Sequence, residues 1–131
     1  EGITRRLISS EPRSELTREV SRALSATGLT LLEEGDATLT LALQPEQFTQ
    51  RNVSLTAQAR AAELELTLFA DFTLNQPESD PIEARATVIR QMLNDPRNVV
   101  GKTEEVRLLR EEMRRDLADQ IARRVSHSLG S

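Results

Sequence analysis

The sequence predicts a two-layer α+β domain, with two helices packed on one face of a four-stranded, mostly antiparallel sheet. Alternating hydrophobic and polar residues mark three consecutive stretches in the middle of the chain, as expected for strands that are covered on one side. Two other stretches repeat hydrophobic residues every three or four positions, which is typical of amphipathic helices. Because a further strand begins the chain, the predicted order is β-α-β-β-β-α.

The N-terminal part of the chain is expected to hold the first strand and the first helix. Ile3–Ile8 has the composition of a short strand, and Ser9–Pro12 predicts a helix start, because serine caps helices and proline is tolerated in the first turn. Hydrophobic residues then recur every fourth position over 16–24, and Gly28 is expected to end the helix. Residues 29–32 are expected to form a short extended piece.

The three consecutive strands follow after a turn. Thr38–Gln44 alternates clearly, Pro45 interrupts it, and extension is expected to resume over Phe48–Ala57. Proline cannot donate a backbone hydrogen bond, so an edge position or a bulge is predicted there. Ala62–Leu74 and Ile82–Leu93 are the other two strands, separated by a turn segment. Such a sheet leaves one polar face and at least one edge open to a partner.

The last helix is predicted from about Thr103 to His127. Seven lysines and arginines face six acidic residues over 102–127, so the outer face of this helix is expected to be mixed and solvated. The chain has three phenylalanines and neither tyrosine nor tryptophan, so stacking platforms for bases are scarce. The sequence therefore predicts no nucleic-acid partner. The hydrophobic stripe of this helix consists of Val106, Leu109, Met113, Leu117, Ile121 and Val125.

The composition indicates one globular domain spanning 1–131 and little chemistry. Hydrophobic residues make up 37 % of the chain and charged residues 29 %. The absence of cysteine excludes disulfides, thiolate metal sites and cysteine nucleophiles, and no apolar run is long enough to span a membrane. His127 is the only histidine and lies near the C-terminus. We therefore expect no enzymatic activity, no metal and no cofactor.

One loop carries a candidate anion contact. Lys102 is the only lysine of the chain and directly precedes the last predicted helix, whose first N–H groups and positive dipole end favour anions. Arg97 lies in the same loop. A phosphate group could therefore bind there without a nucleotide-binding fold. The alternative is that Lys102 is simply a solvated loop residue.

Several segments, in their order along the chain, resemble the LptE family of lipopolysaccharide-assembly lipoproteins. These segments are Leu16–Leu32, Ala62–Leu64, Leu93–Pro96, Gly101–Lys102 and Glu104–Val125. No single segment is highly specific, but together and in this order they span most of the chain.

This resemblance implies a role in delivering lipopolysaccharide to the cell surface. Members of the family fill the lumen of the LptD outer-membrane barrel as a plug, help that barrel to assemble, and bind lipopolysaccharide. The expected partners are therefore an LptD-type barrel, in a heterodimer, and lipopolysaccharide. The expected location is the periplasmic side of the outer membrane, through an acylated N-terminal cysteine that would precede Glu1.

The resemblance also suggests lipopolysaccharide-binding residues. A basic position of the family just before the last helix falls on Lys102. A second falls near Ala57, which is not basic, so Arg60 is the substitute candidate. Our hypothesis is that Lys102, Arg60 and Arg97 contact lipopolysaccharide phosphates, since cations bind phosphate oxygens strongly. The alternative function is a generic periplasmic adaptor lipoprotein that binds a protein partner through its sheet edge.

Overall fold

A computed structural model describes residues 4–9, 14–26, 30–32, 39–55, 62–76, 79–94 and 99–130. Two helices and six strands lie within these residues, and the strands form one sheet. The elements in chain order are β1 Thr4–Ser9, α1 Glu15–Ala26, β2 Thr30–Leu32, β3 Leu39–Leu43, β4 Gln47–Leu55, β5 Ala62–Asn75, β6 Ile82–Asn94 and α2 Val99–Gly130.

The long strand β5 organises the sheet. β6 pairs with it antiparallel from end to end, so β3 and β4 share its other edge, one after the other. β1 pairs parallel with β3 on one side and with β2 on the other. The four predicted strands correspond to β1, to β3 and β4 together, to β5 and to β6, and β2 is the short extended piece. The predicted two-layer α+β fold class is confirmed.

The interruption predicted at Pro45 is a bulge. Leu43 pairs with Phe72 and Gln47 with Phe69, so four steps along one strand oppose three along β5. The Gln44 N–H donates to the Asp71 carbonyl at 3.0 Å and continues the ladder up to the proline. The extra residue bends the strand, as bulges do. It separates one predicted strand into β3 and β4.

Helix α1 begins later than the sequence predicted. Ser9 is the last residue of β1, so it cannot cap a helix. The cap is Ser14, whose Oγ accepts a hydrogen bond from the Thr17 N–H at 3.1 Å. A serine side chain that accepts from the third residue of the helix satisfies a backbone donor that has no partner within the helix.

Helix α2 begins earlier than predicted, at Val99 rather than about Thr103, and runs for 32 residues to Gly130. Gly101 lies in the loop that the sequence predicts before this helix. Glycine in a helix costs only about 1 kcal/mol relative to alanine, so one glycine near the start does not prevent helix formation. Lys102 is therefore the fourth residue of the helix.

The hydrophobic core lies between the helices and one face of the sheet, as predicted. The even-numbered residues from Leu64 to Leu74 in β5 are all at most 4 % exposed. The helices cover them with a shared apolar surface formed by Leu16, Val20 and Leu24 of α1 and by Met113, Leu117, Ile121 and Val125 of α2. This core joins both helices to the sheet, from Leu16 to Val125. That residues 1–131 form a single domain stays a prediction. Neither described helix could cross a membrane.

Candidate functional site

Of the three predicted lipopolysaccharide contacts, the structure places one. Lys102 is half-buried in the first turns of α2 instead of in a preceding loop, which corrects the sequence prediction. Arg60 and Arg97 lie outside the described residues. The strand residues that border their segments do lie side by side, because Ala62 pairs with Leu55 on one side and with Asn94 on the other.

This end of the sheet also lies next to the start of α2. Asn94 ends β6 and Val99 begins α2, so four residues separate the strand from the helix. The topology thus brings the borders of both arginine-bearing segments and the N-terminal end of α2 to one end of the molecule. The positive end of the helix dipole and the cation of Lys102 coincide there.

A second polar site, which the sequence did not reveal, joins α2 to the β3–β4 bulge. Glu46 follows Pro45 in the bulge, and its carboxylate accepts hydrogen bonds from two arginines of α2. Arg114 donates through Nε to Oε1 at 2.7 Å and through Nη2 to Oε2 at 2.9 Å. Arg110 donates through Nε and Nη2 to Oε2 at 3.0 and 2.9 Å. We call Glu46, Arg110 and Arg114 the bulge cluster.

The bulge cluster is sheltered from water. The side chain of Glu46 is 13 % exposed and that of Arg114 is 11 % exposed. The guanidinium of Arg110 lies 4.6 Å from the centroid of the Phe48 ring, which adds a cation–π contact. The only sequence signals for this cluster were the bulge itself and two arginines four residues apart, on one face of the helix.

The charges of the bulge cluster shift the pKa of Glu46. Burial alone would raise this pKa, but the hydrogen bonds from Arg114 and Arg110 outweigh the burial and lower the pKa below its ordinary value. Arg114 also contacts Glu15 of α1 at 3.3 Å. The cluster therefore links the bulge, α1 and α2 through ion pairs.

A cleft of about 440 Å³ opens beside the bulge cluster, between β4 and the N-terminal half of α2. Three arginines and two acids line it, so its charge is nearly compensated. Arg107 in its wall already pairs with Glu104 at 2.6 Å and with Glu111 at 2.8 Å. This cleft is thus a poor match for a free anion. Its lining residues include Phe48, Gln50, Thr103, Val106 and Arg110.

The open face of the sheet carries two cross-strand ion pairs. Arg85 of β6 donates two hydrogen bonds to Asp71 of β5, at 2.6 and 3.1 Å, and lies 4.2 Å over the Phe69 ring. The hydrogen bond from Arg85 lowers the pKa of Asp71. Arg51 pairs with Glu65 at 2.9 Å across the neighbouring strands. Cross-strand pairs of opposite charge like these stabilise a sheet.

Within the described ranges, no group of three or more histidine, aspartate or glutamate residues could hold a metal ion. His127 is exposed near the C-terminal end of α2. The fold defines the class of the protein as a small two-layer α+β domain. The family model of LptE, described as lipopolysaccharide-assembly, matches residues 6–125. The chain therefore belongs to the LptE family.

Relatives and solved structures agree with this assignment. The chain is 28 % identical over 120 residues to the LPS-assembly lipoprotein LptE of Photorhabdus laumondii and 27 % identical over 121 residues to that of Yersinia pestis. Each match covers 91 % of this chain, which spans only 66 % and 58 % of the length of these two relatives.

Among solved structures, the rare lipoprotein B of Shewanella oneidensis superposes with a TM-score of 0.86 at 28 % identity, over 95 % of both chains. A minor lipoprotein of Acinetobacter baumannii has a TM-score of 0.74 at 22 % identity and covers 98 % of this chain and 93 % of its own. The second likeness bears on the fold alone.

Proposed function

We propose that this protein acts in lipopolysaccharide transport and assembly at the outer membrane, as the plug and assembly partner of an LptD-type barrel. The observation that carries the proposal is the family match over residues 6–125. We further propose that it is held on the periplasmic side of the outer membrane by a lipid anchor, as its family resemblance implies.

The surface chemistry supports a role as a plug. The interior of a large outer-membrane barrel is polar, so a protein that fills it needs a polar surface and a stable core of its own. The ion pairs Arg51–Glu65 and Arg85–Asp71 compensate charges on the open face, and the bulge cluster does so on the helical side. Charges that are already paired in this way can be covered by a polar wall at a lower desolvation cost than unpaired ones.

The proposed contact with lipopolysaccharide lies at the end of the sheet where α2 begins. Lipid phosphates are anionic, and charge-assisted hydrogen bonds to lysine and arginine are the strong ones. Lys102 is placed there by α2, and the segments that carry Arg60 and Arg97 border paired strand residues at the same end. We propose that these three side chains contact the phosphates together.

A charge reversal tests this contact. Lys102→Asp should weaken binding of purified lipopolysaccharide by about tenfold or more, since a lost charge-assisted hydrogen bond costs about 1.5–3 kcal/mol. Arg115→Asp is the matched control, because it makes the same change in charge at an exposed position of the same helix. Unchanged binding by Lys102→Asp at low salt would remove Lys102 from the site.

The partner is tested separately. Co-expression with an LptD-type barrel, followed by purification through a tag on this protein, should recover the barrel in a one-to-one complex. The competing function is a periplasmic adaptor that binds another protein through the open edge of β6 and contacts no lipid. Capture of a different protein, with neither barrel nor lipopolysaccharide bound, would favour the adaptor.

A further inference from the structure

The outer edge of β6 is available for strand pairing. Within the described part of the sheet, β6 pairs with β5 alone. In a strand, the N–H and C=O groups of one residue point to the same edge, and successive residues alternate between the two edges. The Asp71 carbonyl accepts from Gln44, so the odd-numbered residues of β5 direct their backbone groups toward β3 and β4. The even-numbered residues of β5 therefore bond to β6, and they pair with even-numbered residues such as Val88. The odd-numbered residues of β6 consequently turn their N–H and C=O groups outward.

Two hydrogen bonds confirm this orientation. The Gln120 side-chain amide of α2 donates to the Thr87 carbonyl at 3.0 Å, and Nη1 of Arg90 donates to the Ile89 carbonyl at 3.0 Å. Arg90 is in turn held by an ion pair with Asp116. These side chains take the places of the N–H groups that a neighbouring strand would supply. We call Gln120 and Arg90 the edge caps.

A groove of about 300 Å³ runs between this edge and α2. Its acids are already compensated, because Asp116 pairs with Arg90 and Asp119 contacts Arg22 at 3.3 Å. Arg123 also lines the groove and forms no ion pair with the described residues. The groove therefore has one positive charge to spare, on the helical side of the edge.

Hydrophobic side chains flank the same edge on the opposite side. Ile89 is 51 % exposed and Leu93 is 68 % exposed, which is high for large apolar residues on a strand. A strand added to β6 would direct alternate side chains to the two sides. Such a strand matches this edge best if it places apolar residues beside Ile89 and Leu93 and an acidic residue toward Arg123.

We propose that the edge of β6 binds an extended, acidic and apolar segment of the barrel partner by strand addition. The backbone N–H groups of that segment replace the edge caps at the carbonyls of Thr87 and Ile89. The main chain supplies affinity and the alternate side chains supply selectivity, as in other cases of strand addition. The proposal rests on the proposed function, since it assigns a contact surface to the same barrel.

Proline substitutions test the strand addition. Thr87→Pro and Gln91→Pro each remove one outward N–H without removing a bond to β5, and proline is tolerated at such edge positions. Each should recover about tenfold less barrel on co-purification, or require about tenfold more protein to saturate it. Thr87→Ala and Gln91→Ala keep the N–H group and should behave like the unsubstituted protein. Equal barrel recovery by folded proline variants would overturn the proposal.

A second variant keeps the test decisive if the proline variants do not fold. Gln120→Ala removes an intramolecular competitor for the Thr87 carbonyl, so it should recover at least as much barrel as the unsubstituted protein. Reduced recovery of barrel with an unchanged unfolding midpoint would show that Gln120 itself contacts the partner. It would overturn the proposal that the partner's backbone replaces Gln120 at the Thr87 carbonyl. Arg123→Glu should lower recovery, and unchanged recovery would contradict the acidic character of the segment.

The outcomes separate this proposal from the proposed function. If the unsubstituted protein recovers no barrel, the plug assignment fails. If it recovers barrel and the folded proline variants do so equally well, only the strand addition fails. Size-exclusion chromatography completes the test, because a dimer that the proline variants abolish would identify a second copy of this chain as the occupant and overturn the proposal.

Discussion

Replacing Glu46 with alanine should lower the free energy of unfolding by about 2 kcal/mol. Removing one partner from a fully buried ion pair costs about 3–5 kcal/mol, because the remaining charge stays buried without compensation. Arg114 is 11 % exposed and fits this case, whereas Arg110 is 37 % exposed and is partly screened by water. Arg114 also keeps its contact with Glu15, which reduces the loss further. The midpoint of thermal unfolding should fall by about 6–8 °C.

The same cluster predicts a dependence on pH. The folded-state pKa of Glu46 is lowered below its ordinary value of 4.5, so the folded protein binds this proton less readily than the unfolded chain. The stabilisation by Glu46 is therefore fully present above that value and is lost as the pH falls through the lower, folded-state pKa. The difference in stability between the unsubstituted protein and Glu46→Gln should be constant near neutral pH and should shrink below about pH 4.5.

Urea unfolding followed by circular dichroism measures both effects. Glu112→Ala is the control, because Glu112 is an exposed acid on α2, the helix that carries Arg110 and Arg114. Its loss should change stability by less than about 0.5 kcal/mol. A loss below about 0.5 kcal/mol in Glu46→Ala would refute the view that the cluster fastens the bulge to α2. The same view would be refuted if the difference in the free energy of unfolding between the unsubstituted protein and Glu46→Gln stayed constant down to pH 3.

Two further predictions concern the core and the first helix. Leu117→Ala removes a fully buried side chain of α2 and should cost about 3 kcal/mol, while Leu108→Ala on the same helix, where the residue is 47 % exposed, should cost less than about 1 kcal/mol in urea unfolding. Ser14→Ala removes the cap of α1 and should cost about 1 kcal/mol, whereas Ser25→Ala at an exposed position of that helix should be nearly neutral; equal effects would contradict the assigned cap.

The sequence predicted those features that depend on local alternation. The boundaries of β5 and β6 were predicted to within one residue, because one buried and one open face produce a regular pattern over 14 and 13 residues. The interruption at Pro45 was also predictable, since proline lacks a backbone donor. Helix starts were less predictable. Several serines precede Leu16, and which one caps α1 depends on where β1 ends.

The polar sites were harder to predict than the strands. Glu46 lies 64 residues before Arg110 and 68 before Arg114, and only the bulge directs its carboxylate toward α2. Local sequence allowed the arginines of α2 to be interpreted as one solvated face, which is right for Arg107 and wrong for Arg114. Lys102 was recognised as a candidate by being the only lysine, but its position inside α2 depends on the helix continuing through Gly101.

The two edges of β5 differ in how α2 is joined to the strands that pair there. On one edge, β3 and β4 pair with β5 one after the other, and the bulge between them is fastened to α2 by the partly buried bulge cluster. On the other edge, β6 shares the hydrophobic core with α2. Its outer backbone is met by the side-chain amide of Gln120 and by Arg90, which pairs with Asp116 of α2. Exposed side-chain bonds exchange more readily than the partly buried bulge cluster, because water competes for them. A partner that adds a strand therefore has to displace only the edge caps, while the bulge side keeps the fold intact.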